Sequence, residues 1–283
     1  MTRLEMKKLL GTLSVILILA FTGNAFGQNL IILHTNDTHS QIIPVNSGKY
    51  KGLGGYERRE EYIKQVRKEA GKNNVLLLDA GDFSQGSPYF SIFKGDVETS
   101  LMNTLKYDAA CLGNHEFDNG QTELARRARS TRFPLLCCNY DFSKSPLAGL
   151  IKPYTIIERA GKKIGIIGVL INLRGLVVPA NFNTIKYLDP VTCIDKYAGY
   201  LKNKEHCDLV ILLSHCGFTD DVKHKSGEIY FAKNTRNVDL IIGGHSHSLL
   251  KKQYLFKNKD GQKVPVVQVG SKGIYVGRFD VTF

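Results

Sequence analysis

Leu112-Gly113-Asn114-His115-Glu116-Phe117-Asp118 is the stretch around which the chain is organised. It continues an apolar run, Ala109-Ala110-Cys111-Leu112, that reads as a short buried strand. Gly113 turns the backbone at the strand's end, and Asn, His, Glu and Asp then fall within five positions. Open α/β sheets bind ligands beyond the carboxyl ends of their strands, so this loop stands where chemistry would be placed. Alone, it is equally consistent with a polar turn. Four other strand ends in the same chain tip the balance.

Each of the four is an apolar run that ends in polar residues. Residues 30–34 lead into Thr35-Asn36-Asp37-Thr38-His39-Ser40, and residues 75–79 into Ala80-Gly81-Asp82-Phe83. Residues 209–213 lead into Ser214-His215-Cys216-Gly217, and residues 240–242 into Gly243-Gly244-His245-Ser246-His247. Between them lie helical patterns. One spans about residues 57–70, with Tyr62, Ile63 and Val66 on its apolar face and Gly71 as its stop. A second, marked by Val97, Leu101, Met102 and Leu105, takes Asp96 as its cap. A basic helix covers about residues 121–129, and Pro190 after Asp189 opens another that runs to about 204. The segment with Gly86 and Pro88 reads as a loop, and residues 135–138 as a further strand. Residues 154–159 and 163–169 form a hairpin about Ala160-Gly161-Lys162, and late strands are expected near 254–256, 264–269 and 274–283. Alternating strands and helices early, with hairpins late, predict one α/β domain of two mixed central sheets with helices outside.

The length of 283 residues and the 43% apolar share give this domain ample core. Residues 1–27 are set apart. Arg3, Lys7 and Lys8 precede an apolar run from Leu9 to Phe21, and Asn24-Ala25-Phe26-Gly27 offers small residues for cleavage. That is the pattern of a secretory signal peptide, too short in its apolar part for the ~20 residues that span a bilayer. The expectation is export to the periplasm or beyond, with no stable membrane anchor. The formal charge of +12 becomes +10 without that segment, which holds three basic residues and one acidic. The cations are scattered, so a solvated surface is expected rather than a groove for a nucleic-acid polymer. None of the six Cys forms a C-x-x-C pair; Cys111, Cys137, Cys138 and Cys216 lie in or beside apolar runs and read as buried free thiols.

The five strand ends supply Asp37 and His39, Asp82, Asn114 and His115, His215, and His245 and His247. Five of the chain's eight His are in this set, whereas His34, His206 and His224 read as structural or surface residues. Borderline divalent ions take carboxylate oxygen and imidazole nitrogen. Two such ions ~3.5–4 Å apart polarise a phosphoryl group and lower the pKa of water. One carboxylate must then bridge both ions, and Asp82, alone at its strand end, is the candidate. Each loop singly has a bland reading as a capped turn or a buried hydrogen-bonded His. Together they point to a dinuclear metal site.

Asp-x-His, Gly-Asp, Gly-Asn-His-Glu, a lone His and Gly-His-x-His, in that order, resemble the motif set of the calcineurin-like metallophosphoesterases. The opening Leu33-His34-Thr35-Asn36-Asp37-Thr38-His39-Ser40 narrows the resemblance to one branch. That branch is the N-terminal catalytic domain of the 5′-nucleotidases, UDP-sugar hydrolases and 2′,3′-cyclic phosphodiesterases. The resemblance runs from about residue 29 to the C-terminus. It implies a four-layer α/β sandwich, two mixed sheets flanked by helices, over residues 28–283. It implies two divalent ions (Mn, Zn, Fe or Co) and a nucleotide substrate. The implied activity is that of a 5′-nucleotidase, with a cyclic phosphodiesterase or broad phosphomonoesterase as the alternative. Asp37, His39, Asp82 and His247 would hold one ion; Asp82, Asn114, His215 and His245 would hold the other. His115 would protonate the leaving oxygen or stabilise the phosphoryl group, oriented by Asp118, and Glu116 would support the site. A non-catalytic nucleotide-binding subunit would have no need of His115 and Asp118. Full-length members carry a second domain that holds base and phosphates, and this chain ends at Phe283, where that domain would begin. The expectation is that a separate polypeptide supplies that half or that the catalytic domain works alone with loose selectivity.

Overall fold

Strands read as near-continuous apolar runs when a parallel sheet is covered on both faces. The computed structural model describes residues 29–283, so the leader expected over residues 1–27 lies outside the described residues. The first half of the chain forms β1 (Asn29–Thr35), α1 (Tyr56–Ala70), β2 (Val75–Asp79), α2 (Pro88–Phe93), α3 (Asp96–Leu105), β3 (Ala109–Cys111), α4 (Gly120–Ser130) and β4 (Leu135–Leu136). Short strands β5 (Tyr140–Asp141) and β6 (Ile151–Lys152) lead to the hairpin of β7 (Tyr154–Arg159) and β8 (Lys162–Leu170). Then come β9 (Lys186–Tyr187), α5 (Pro190–Asn203), β10 (Leu209–His215), α6 (Glu228–Asn234) and β11 (Leu240–Gly243). The chain closes with β12 (Tyr254–Lys257), β13 (Lys263–Val267) and β14 (Gly277–Thr282).

Two six-stranded sheets result, ordered β14-β1-β2-β3-β4-β6 and β12-β13-β11-β10-β8-β7, with β5 and β9 as a separate pair. Each sheet is parallel inside and antiparallel at an edge, through β14 in the first and through β7 and β12 in the second. Alternation along β1 shows the layering. Leu30 and Ile32 meet Ile164, Ile166, Ile211 and Leu213 of the other sheet. Ile31 and Leu33 face Ile63 and Val66 of α1 and Met102 of α3. On the far side, Val210, Leu212 and Ile241 pack against Ile194 and Leu201 of α5 and Phe231 of α6. The order is helices, sheet, sheet, helices, and each fully buried Leu or Ile contributes about 1.5–3 kcal/mol. The sheets approach closely at Gly168, where a Cβ would lie 2.4 Å from the Leu136 carbonyl oxygen.

Register sets the strand ends level. Thr35 pairs with Asp79 and Asp79 with Ala110, while Leu170 pairs with His215 and Ser214 with Gly243. All the polar loops therefore leave along one rim.

Some local expectations are corrected. The segment after Gly86 is not all loop: Pro88–Phe93 is helical, with the Ser87 Oγ accepting from the Phe90 amide at 3.4 Å. Proline at a first helical position loses no hydrogen bond, so Pro88 starts this helix instead of breaking it. Asp96 is the first residue of α3, not its cap; Gly95 caps it with no side-chain hydrogen bond. The helix α6 and strands β5, β6 and β9 had no counterpart in the sequence pattern. The six thiols are free, five of them buried and Cys193 partly so. Among the described residues no helix is long and apolar enough to cross a membrane.

Candidate metal centre

The rim is built from strained backbone. Asp37, His39, Asp82, His245 and His247 all adopt left-handed conformations, with φ between 46° and 70°. Such a conformation costs an L-residue roughly 1–3 kcal/mol and persists only where the surroundings over-determine it. Here loop is tied to loop. The Asp37 and His39 amides donate to the carbonyls of Gly81 and Asp82, at 2.9 and 3.0 Å. The Asn36 side chain donates to the Gly270 carbonyl at 2.6 Å and accepts from the Val269 amide at 3.1 Å. Gln268 donates to the Gly244 carbonyl at 2.9 Å. Two glycines permit the close approach. A Cβ on Gly113 would sit 2.2 Å from Asp82 Oδ1, and one on Gly244 would sit 2.9 Å from His215 Nδ1.

All seven residues expected to bind metal come together on this rim. Asp37 Oδ1 lies 3.7 Å from His39 Nε2 and 3.4 Å from His247 Nε2, and those two nitrogens are 2.9 Å apart. Asp82 Oδ2 lies 3.0 Å from His215 Nε2, and His245 completes this second group. Asn114 Oδ1 is 2.9 Å from His245 Nδ1. A third group joins His39 of the first group to Asp82 of the second, together with His115, so Asp82 reaches the first group through His39. Asp37 and Asp82 are buried, while the His247 side chain is about half exposed, at 48%. His34 is buried, and His206 and His224 are exposed; among the described residues none of the three joins a group of metal-competent side chains.

The donor set fits a cation. His215 is fully buried, and its Nδ1 lies 2.7 Å from the Ala80 carbonyl oxygen, which can only accept. The Nδ1 proton is thus committed, and the Nε2 lone pair faces Asp82 with no hydrogen-bond partner. A lone pair against a carboxylate is repulsive unless a proton or a metal ion lies between them. Burial alone would lower the His215 pKa, but Asp82 and Asp37 lift it to about 10, so without a cation a proton occupies the place on Nε2 that a metal ion would take. Burial acts against ionisation of Asp82 too, yet His215, His115 and His39 hold it well below the usual carboxylate range. Burial takes His39 and His245 down to about 4, so both are neutral at pH 7, the form in which imidazole binds metal.

His115 stands at the margin. Its Nδ1 is 2.8 Å from Asp118 Oδ2, and its Nε2 is 4.0 Å from Asp82 Oδ2. Burial opposes protonation, but the Asp118 hydrogen bond and the Asp82 charge together raise its pKa above 6.5. Glu116 is fully buried. Its carboxylate accepts from the amides of Asp82 at 2.9 Å, Gly113 at 2.7 Å and Ser84 at 3.2 Å.

Sequence reasoning missed the supports beneath the rim. Asp79 is buried and accepts from Thr35 Oγ at 2.5 Å and from the Gly81 amide at 2.9 Å. Glu228 of α6 is fully buried under Ser214, which donates to it at 3.1 Å. Burial raises their carboxyl pKa values to about 7 and about 8. Asp79 was visible as the one acid of an apolar run. Glu228 follows no motif.

The sequence matches the calcineurin-like phosphoesterase model over residues 30–249. It is 37% identical over 280 residues to a snake venom 5′-nucleotidase of Naja atra, covering 90% of this chain and 50% of that protein. To a 5′-nucleotidase of Rattus norvegicus it is 35% identical, covering 98% of this chain and 50% of that protein. The fold superposes on a 5′-nucleotidase precursor of Thermus thermophilus with a TM-score of 0.80 and 34% identity, over 90% of this chain and 51% of that one. The chain thus spans about half the length of these relatives.

Proposed function

The chain belongs to the calcineurin-like phosphoesterase family, and from that membership we propose that it hydrolyses nucleoside 5′-monophosphates at a centre of two divalent ions. Asp37, His39, Asp82 and His247 would hold one ion, and Asp82, Asn114, His215 and His245 the other. Carboxylate, amide and imidazole donors suit Mn²⁺, Fe²⁺, Co²⁺ or Zn²⁺. Two such ions, when bound, supply Lewis acidity towards a phosphoryl oxygen and bring the pKa of water near neutrality. The observation that carries this reading is the meeting of five strand-end loops on Asp82, which groups with His39 and His115 on one hand and with His215 and His245 on the other.

His115 then acts on the leaving group. Asp118 engages Nδ1, which turns Nε2 towards the reacting phosphate, and that hydrogen bond favours the protonated ring. That proton passes to the alkoxide of the departing nucleoside. The Asp118 carbonyl accepts from Asn181 Nδ2 at 2.8 Å, which holds the pair in place.

Export belongs to the same proposal, as the signal-peptide pattern supports it. So does a partner polypeptide that corresponds to the other half of the relatives and contacts the nucleoside. Turnover by the mature chain with added Mn²⁺ tests the reading against AMP, 2′,3′-cyclic AMP, UDP-glucose and p-nitrophenyl phosphate. Metal-stimulated release of phosphate from AMP above 2′,3′-cyclic AMP and UDP-glucose is expected, with p-nitrophenyl phosphate reporting ester cleavage that needs no nucleoside contact. Equal rates on all four esters would make it a broad phosphomonoesterase, and no metal-stimulated turnover would refute it.

A further inference from the structure

Among the described residues Arg127 is the largest side chain that is fully buried, with 1% of its surface exposed. It comes from α4, whose other arginines, Arg126 and Arg129, are exposed. Its guanidinium reaches under the rim. Nη2 donates to the Glu116 carbonyl at 2.6 Å and Nη1 donates to Ser84 Oγ at 2.7 Å. Ser84 belongs to the loop of Asp82, and Glu116 to the loop of His115, so one planar side chain cross-links the two. The Glu116 carboxylate ties the same loops in return, through the Asp82, Ser84 and Gly113 amides. Asp82 Oδ1 in turn accepts from the His115 amide at 2.8 Å. The path for the guanidinium is cleared at Gly95, where a Cβ would lie 2.4 Å from Nη1.

Burying a guanidinium costs several kcal/mol, and such a group is not generally the best way to fill a core. The carboxylates of Glu116, Glu123 and Glu98 offset its charge. What a hydrophobic side chain of equal volume could not supply is a pair of donors at fixed spacing, aimed at acceptors on two different loops. We infer that Arg127 is a positioning residue: its guanidinium sets the Asp82 loop against the His115 loop, and so fixes the geometry in which this site holds its ions. This inference rests on the two-metal reading above. It concerns a residue that touches neither ion nor substrate.

The test compares Arg127→Met, Arg127→Lys and a control, Arg159→Met. The control breaks a pair with Asp108 beside Val75, at the opposite end of β2. Mn²⁺ binding is measured by calorimetry on the full chain, with thermal unfolding and kcat and KM for p-nitrophenyl phosphate alongside. Arg127→Met is expected to weaken Mn²⁺ binding about 10–100-fold, the usual effect of removing a support of metal ligands. KM should stay within about 3-fold of wild type for a residue that does not meet substrate. Arg127→Lys should recover part of the affinity, and Arg159→Met should leave it unchanged at any loss of stability. A folded Arg127→Met protein with wild-type Mn²⁺ affinity would overturn the inference. So would a loss of affinity that merely followed stability across all three variants. Should Arg127→Met not fold, Ser84→Ala replaces it. That variant removes one guanidinium acceptor, about 10-fold weaker binding is expected of it, and unchanged binding would overturn the inference. Failure of wild type to bind Mn²⁺ would instead refute the two-metal reading.

Discussion

Adding one methyl group at Gly113 puts the geometry of the centre to the test. Gly113 does not need a left-handed conformation, since its φ is not positive, so alanine there carries no backbone penalty of its own. The obstacle is space. A Cβ would lie 2.2 Å from Asp82 Oδ1 and 2.4 Å from the Asp82 amide nitrogen, where ordinary contact begins at about 3.4 Å. The carboxylate could swing aside, but the amide nitrogen cannot. The two loops must therefore part by about 1 Å. A misplacement of that size can cost about 10²-fold in rate, and overpacking costs about 1–3 kcal/mol of stability. Gly165→Ala is the control, because its Cβ would meet Leu201 Cδ1 at 2.8 Å on the α5 side of β8, five residues before the strand's rim end at Leu170. Both variants should unfold at lower temperature. Only Gly113→Ala should lose Mn²⁺ affinity and about 10²-fold in kcat. Wild-type kcat and metal binding in a folded Gly113→Ala protein would refute the claim that this glycine exists to let Asp82 approach.

His115→Asn should leave metal content unchanged and lower kcat about 10²–10⁴-fold on AMP, and less on p-nitrophenyl phosphate, whose leaving group needs no proton. Loss of metal in that variant would place His115 among the ligands instead. The Asp79 carboxyl, lifted by burial from 3.8 to about 7, makes stability pH-dependent. Its folded pKa exceeds its unfolded one, so the unfolded chain binds fewer protons between about pH 4 and 7, and stability falls as pH rises through that window. Asp79→Asn should remove this decline, gaining up to about 4 kcal/mol over wild type at pH 8 and little at pH 4. Parallel pH profiles from urea unfolding in EDTA would contradict it. The isolated chain should show a high KM for AMP, GMP, CMP and UMP with weak preference among bases, because remote contacts to the nucleoside orient the phosphate. Micromolar KM with sharp base discrimination in steady-state kinetics would count against a partner polypeptide.

The long strands were legible because their apolar runs match a buried parallel sheet, and the rim was legible because polar residues end each run. Two-residue strands such as β5 and β9 have no pattern to read. Residues 84–95 misled because Gly86 and Pro88 punctuate the chain, although Ser87 and Pro88 together are also a helix start. The supports were hidden for a different reason. Arg126, Arg127 and Arg129 look alike as a basic solvated face, and only packing shows that Arg127 points inward. Glu116 was visible within the central motif, but its three amide partners come from a loop about thirty residues earlier and from Gly113. The left-handed backbone at five rim residues has no sequence signal either, since none of the five is glycine.

The central claim is that Asp82 is shared between two ions. Metal analysis of the purified chain after equilibration with Mn²⁺, set beside Asp82→Asn, measures it most directly. Asp82 is buried, and its Oδ2 lies 3.0 Å from His215 Nε2, so the amide keeps the shape and removes the charge. The account predicts two ions per wild-type chain, and loss of bound metal together with turnover in Asp82→Asn. Two ions and near-normal turnover in that variant would contradict it.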